Sequence, residues 1–274
     1  MSASPEVRET NRFDRLCVLL ETIDELHAGQ SGSLSFGSAS QGIVLVQSGR
    51  VCWAASSMMP TRLTDRLRHA CTLSEHSLQL IFRDCRASGT PFGETLVERG
   101  IVSFDVLRTA LLQHNAETLL QLAGQPAPQW RPAKIEQYDP SLTFTSAELL
   151  AHSADGWWGP LAAAARDELR AALRDRHAVG LSFLRAPETA DSIVPVGFVG
   201  TDDLSAREML AIGRAAERAM QSCSAAGGRL VASTRADGRT TVIWIDDGAY
   251  YVAFGDDRSE MAFIVAHLSR RALE

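Results

Sequence analysis

Reactive chemistry needs nucleophiles, acids or metal ligands gathered at short spacing, and His69, Cys71, His76 and Cys85 are the first such group in the chain. Thiolates and imidazoles bind zinc, but structural zinc sites pair them tightly, as C-x(2–4)-C with H-x(3–5)-H. The spacing here is irregular and the segment reads as helical, so no metal site is expected. The remaining histidines, His27, His114, His152, His177 and His267, are scattered. Asp202-Asp203, Asp246-Asp247 and Asp256-Asp257 are paired carboxylates. Each falls at a predicted turn or helix start, where aspartate accepts backbone hydrogen bonds. Turn chemistry is therefore the expectation, and a metal or acid–base role the alternative. The sequence contains no G-x-S-x-G elbow, H-E-x-x-H, P-loop or G-x-G-x-x-G. Catalysis would require a deep pocket that gathers several of these scattered groups. The expectation is a non-enzyme with no catalytic, cofactor-binding or metal-ligating residue assigned.

The elements that would carry these residues fall into two textures. Phe13, Leu16, Leu19, Leu20, Ile23 and Leu26 form a helical stripe, with Gly29 as its C-cap. Strands are predicted at 33–36, 43–46 and 51–55, the last two joined by a turn at Ser48-Gly49. Helices follow over 61–71, 74–87, 92–99 and 104–122, with Ser103 as the N-cap of the last. Four of the ten prolines lie between Pro126 and Pro140, in a loop predicted to hold short strands at 129–132 and 142–145. Ser146 is predicted to cap a short helix through Ala151. The turn-rich stretch HSADGWWGP, 152–160, marks the domain boundary.

Beyond it the pattern reads helix 161–176, two strands, a long helix, a three-stranded meander and a helix from about 258 to 271. Pro195 inside the second strand predicts an edge position or a bulge. Met209, Ile212, Ala216, Ala219, Met220 and Cys223 form the apolar face of the long helix, which Gly227-Gly228 ends. A five-stranded antiparallel sheet with the long helix across one face would bury both apolar surfaces. The fold class is α+β in two domains, a small sheet plus helices and then the five-stranded sheet with flanking helices.

The composition suits such a protein. The chain has 274 residues, 45% hydrophobic and 22% charged, enough apolar material for two cores. A net charge of −6 argues against a broad nucleic-acid-binding surface. All 27 basic residues except Lys134 are arginine. That bias reads as a GC-rich genome, since arginines chosen for bidentate anion contacts would cluster, and the sequence shows no clustering. No apolar run approaches the ~20 residues of a membrane helix, and MSASPEVRETNRFDR lacks a signal-peptide core, so a cytoplasmic location without membrane insertion is expected. The five cysteines, Cys17, Cys52, Cys71, Cys85 and Cys223, form no C-x-x-C pair and read as small buried apolar residues.

The motifs GSLSF, GIVLVQSGRVCWAAS, LVERGIVSFDVLRTALLQHNAETLLQL and LTFTSAELLAHS resemble the bacterial PatA-type N-terminal domain, domain of unknown function 4388. This resemblance covers residues 13–151 and implies a signalling or scaffolding module. Within it, G-x-x-L-V-x-x-G from Gly93 to Gly100, then six residues and L-x-x-x-L, resembles the repeat of secretion and pilus ATPase N-terminal domains. In that family the repeat can bind cyclic di-GMP, using an Arg before its Leu-Gly pair and a terminal Gln. Here Pro91 and His114 hold those places, and no tandem copy follows. Phe92, Leu96, Val97, Leu107 and Leu111 then read as a helix–helix core, and Gly93 and Gly100 as a close-packing position and a C-cap.

From 161 to 274 the element order, with STRADGRTTVIWIDDGAYYVAFGDD, resembles the roadblock/dynein-light-chain superfamily; longin and profilin-like folds share the layout. The resemblance implies an adaptor that forms homodimers and regulates a small Ras-like GTPase in polarity, motility or related signalling. Its partner-facing residues would lie on the long helix: Arg207, Arg214, Glu217, Arg218 and Gln221. The alternative for each is a solvated helix face. The resulting organisation is a tail over 1–12, the PatA-like domain over 13–151, a linker over 152–160 and the roadblock-like domain over 161–274. The alternatives are a sensor of cyclic di-GMP or another small ligand, and a structural scaffold without a GTPase.

Overall fold

The computed structural model describes residues 5–27, 29–37, 41–70, 74–90, 92–135, 138–185, 193–200, 203–225, 230–234 and 239–271. The chain divides into two compact units, Met1–Leu149 and Leu150–Glu274. Secondary structure is mixed, with two antiparallel sheets, one in each unit.

The first unit opens with α1, Pro5–His27. It begins inside the stretch expected as a tail, where Pro5 at the first helical position loses no hydrogen bond. The stripe read from the sequence is its buried side: Leu16 and Leu20 are fully covered, as is Ile23. Strands β1 (Gly32–Phe36), β2 (Gly42–Gln47), β3 (Arg50–Ser56) and β4 (Gln129–Pro132) form a sheet of order β3-β2-β1-β4. Ser48 and Gly49 both have positive φ, 52° and 80°, the backbone of a tight two-residue hairpin whose twist matches its strands. The strand expected at 142–145 does not form. Pro140–Leu142 is a 3₁₀ turn, and Phe144 makes only an isolated bridge to Val51.

Four helices follow in the same unit: α2 (Leu63–Ala70), α3 (Glu75–Ser88), α4 (Phe92–Glu98) and α5 (Phe104–Leu122), with α5 packed on β3, α2 and α4 on α5, and α3 on α4. Ser74 and Ser103 cap α3 and α5, their hydroxyls accepting from the amides of Ser77 and Val106. Gly100 takes φ 66° after α4, the left-handed C-cap expected of it. Gly93 faces Leu107, whose Cδ2 would stand 3.1 Å from an added Cβ, so its role is close packing of α4 on α5. Helix α6, Ser146–Ser153, starts from a capping box in which Thr145, and not the expected Ser146, is the cap. Thr145 Oγ1 accepts from the Glu148 amide and Glu148 Oε2 accepts from the Thr145 amide. Ser146 instead donates to Asp24.

The stretch 152–160, expected as a linker, is helical. Helix α7 runs from Asp155 to Ala172, bent where Gly159 leaves helical geometry at φ 26°, ψ −105°. Pro160 follows the bend, so its missing amide costs little there. The second unit continues with β5 (Val179–Arg185), β6 (Ile193–Val199), α8 (Ala206–Ala225), β7 (Leu230–Thr234), β8 (Thr240–Asp246), β9 (Ala249–Gly255) and α9 (Arg258–Arg271). The sheet order is β6-β5-β9-β8-β7, every neighbouring pair antiparallel. Pro195 lies in the edge strand β6 opposite Phe183, and the register shifts there, Ser182 pairing with Gly197 and Phe183 with Pro195, so both expectations for that proline hold. Asp247 and Gly248 form the β8–β9 turn at φ 44° and 77°. The Gly227-Gly228 stop, the turn at 236–238 and Asp202 lie outside the described residues.

Helices cover both faces of this sheet. An added Cβ on Gly180 would strike Leu173 and Leu169 and one on Gly197 would crowd Arg166 of α7, while Gly213 of α8 lies against Phe183 and Ile193. Alternation along β5 therefore sends Gly180 toward α7 and Phe183 toward α8. On α8, Met209, Ala216 and Met220 are buried, with Ile212, Ala219 and Cys223 half-buried beside them. That is the apolar face read from the sequence.

Candidate functional site

The described residues contain one large cleft worth building from its walls, and it lies wholly within the first unit. Its volume is about 1110 Å³, at the upper edge of the ~300–1,000 Å³ typical of small-molecule sites. Strand β3 supplies Cys52, Trp53, Ala55 and Ser56. Helix α5 supplies Leu111 and His114, one helical turn apart on the face that packs along β3. Helix α2 and the residues before it add Arg62, Asp65 and Arg68; α3 adds Phe82, Cys85 and Arg86. The start of α4 adds Phe92, Gly93 and Glu94, and Tyr138 lies on the rim. The segment that resembled a nucleotide-binding repeat therefore contributes to the lining at both its ends.

His114 is the most constrained polar group in the lining. It is 5% exposed and stacks on Trp53, centroids 4.8 Å apart and planes 27° from parallel. Its Nε2 lies 3.1 Å from the Ala54 carbonyl, so the Nε2–H tautomer donates there. Burial holds its pKa below the ordinary value of 6.5, which keeps the ring neutral. Nδ1 is then an acceptor; it is sealed from solvent and has no hydrogen-bond partner among the described residues. The neighbouring Asn115 accepts from the Ala54 amide at 2.9 Å through Oδ1, pinning α5 to β3.

The carboxylates of the cleft are already engaged. Asp65 accepts from the Arg62 amide and pairs with Arg68 at 3.9 Å. Glu94 accepts from the Asp139 amide. Among the described residues the guanidinium groups of Arg62 and Arg86 make no ion pair. Cys52 is buried and its thiol is pushed up to about 12, mainly by burial, so it stays protonated. Cys85 is buried as well. Among the described residues no hydrogen bond joins His114 to a cysteine, and Cys52 Sγ donates to the Leu45 carbonyl. The lining presents aromatic faces and positive charge.

Elsewhere the anticipated residues take the following places. The side chains of His69 and Cys71 lie outside the described residues, and among those described no three His, Cys, Asp or Glu side chains gather around a common point. Asp257 caps α9, its Oδ1 accepting from the amides of Ser259 and Glu260. Asp246-Asp247 belong to the hairpin turn. Arg207, Arg214, Arg218 and Gln221 are exposed on α8. Glu217 is 7% exposed, and its Oε1 accepts from Arg185 Nε at 3.2 Å and Nη2 at 2.8 Å. It belongs to the packing of α8 on β5. No described helix is long and apolar enough to cross a membrane.

The cleft was missed in the sequence because its arginines come from two helices; only Phe92 to His114 had drawn attention to this region. No family model, curated protein or solved structure matches the chain.

Proposed function

We propose that this chain is a non-catalytic signalling adaptor with two modules. Residues 161–274 act as a roadblock-like module that forms a homodimer and regulates a small Ras-like GTPase. The first unit acts as a PatA-like module. The observation that carries this reading is the sheet order β6-β5-β9-β8-β7 with the long helix α8 on one face and α7 on the other. Strand β7 is a five-residue edge with Ala232 and Ser233 exposed, a short pairing surface for a second copy. On α8, Arg207, Arg214, Arg218 and Gln221 recur at helical spacing and form an exposed stripe about 21 Å long. An arginine-rich stripe suits a partner with a carboxylate-rich surface. Regulation would follow from tighter binding to one nucleotide state of the partner than to the other.

Affinity capture from native lysate, in parallel with a non-hydrolysable GTP analogue and with GDP, tests this. The expected result is a small GTPase enriched with the GTP analogue and lost with Arg214→Glu/Arg218→Glu. Recovery indifferent to nucleotide, or a strict monomer by light scattering at high concentration, overturns it.

A further inference from the structure

We propose that the cleft of the first unit binds a small planar aromatic anion, a ring system bearing a carboxylate or similar acid. Two independent features of the lining define that chemistry. The first is charge. Asp65 and Glu94 are taken up by protein donors, whereas the guanidinium groups of Arg62 and Arg86 pair with no described carboxylate. The lining carries three arginines, Arg62, Arg68 and Arg86, against two carboxylates, Asp65 and Glu94, a net charge of +1 in a chain whose net charge is −6. Guanidinium forks bind carboxylates in a planar, two-point geometry.

The second feature is apolar surface. Phe82 lines the cleft yet is 49% exposed, with Phe92 edge-on to it at 5.6 Å between centroids. A large aromatic left uncovered inside a concavity is surface that a ring can bury, and edge and offset contacts between rings favour a flat ligand. A sugar or an aliphatic acid would leave the aromatic faces unmatched.

The proposal concerns the first unit and stands apart from the adaptor reading of the second. The test uses the full chain and two fluorescent probes of like shape: anionic anilinonaphthalene sulfonate and uncharged phenylnaphthylamine. The expected result is one sulfonate site per chain, weakened about tenfold or more by Arg62→Ser/Arg86→Ser. Phenylnaphthylamine binding should not change with that variant. Both arginines are exposed, so the fold is retained, which circular dichroism checks. Phe82→Ala should weaken both probes. Indole carboxylate should displace the sulfonate about tenfold better than indole carboxamide, which has the same shape without the charge. Equal binding of the two probes, indifference to the arginine variant, or equal competition by acid and amide would overturn the proposal.

Discussion

The Arg185–Glu217 pair should respond asymmetrically to truncation, and the asymmetry follows from where water reaches. Glu217 on α8 is 7% exposed and its Oε1 takes two guanidinium hydrogen bonds; the Arg185 side chain, at the end of β5, is 47% exposed. Arg185→Ala leaves a carboxylate nearly dry and uncompensated. For fully buried pairs that loss is about 3–5 kcal/mol; water at the mouth of this one reduces it to roughly 2–3 kcal/mol. Glu217→Ala leaves an arginine that water already reaches, so only the net value of the pair is lost, about 1 kcal/mol. Urea unfolding followed by tryptophan fluorescence should therefore place Arg185→Ala below Glu217→Ala by about 1–2 kcal/mol. The double variant should be less damaged than the sum of the two, because the first truncation removes the reason for the second loss. Equal costs, or a larger cost for Glu217→Ala, would mean that the carboxylate is not held in a dry seat by Arg185. GTPase capture should be unaffected by Glu217→Ala, since this residue faces the sheet.

Two further perturbations test other joints. At Gly213 an added Cβ would sit 2.5 Å from Ile193 Cδ1 and 2.6 Å from Phe183 Cε1. Gly213→Ala should therefore lose about 1 kcal/mol net in thermal or urea unfolding, overpacking of roughly 1–3 kcal/mol outweighing a helix-propensity gain near 1 kcal/mol. The folded-state pKa of His114 is depressed below 6.5 by burial. As pH falls through 6.5, the unfolded chain takes up a proton that the folded chain refuses, so stability declines until the lower folded pKa is reached. His114→Gln, which keeps an amide donor for Ala54, should flatten that part of the pH–stability curve; an unchanged slope would show that His114 is not its source.

The parts of the fold legible in the sequence are those written by local chemistry. Ser48-Gly49 and Asp247-Gly248 are turns because consecutive positive φ values favour such residues. Ser74 and Ser103 cap helices because their hydroxyls reach an amide three residues on. The apolar stripes of α1 and α8 are periodic, and periodicity survives in the structure as burial. Where the reading failed, a tertiary contact decided. Gly159-Pro160 reads as a chain break, but a glycine that absorbs the bend before a proline needs only to kink a helix. Leu142–Thr145 has strand composition, yet it finds a single bridging partner at Val51.

The candidate site was illegible for a related reason. Arg62, Arg68 and Arg86 look scattered because clustering was sought along the chain, and α2 and α3 bring them to one cleft only after folding. Glu217 looked surface-bound because its partner Arg185 lies thirty-two residues away, on a strand. His114 stands where the resembled repeat ends in glutamine and so read as the loss of a polar contact. In the fold it is a stacked, neutral imidazole whose Nε2 donates to the Ala54 carbonyl and whose Nδ1 is sealed from solvent. The ring therefore fastens α5 to β3 and gives the cleft part of its wall, a role set by the strand it meets after folding and not by its place in the chain.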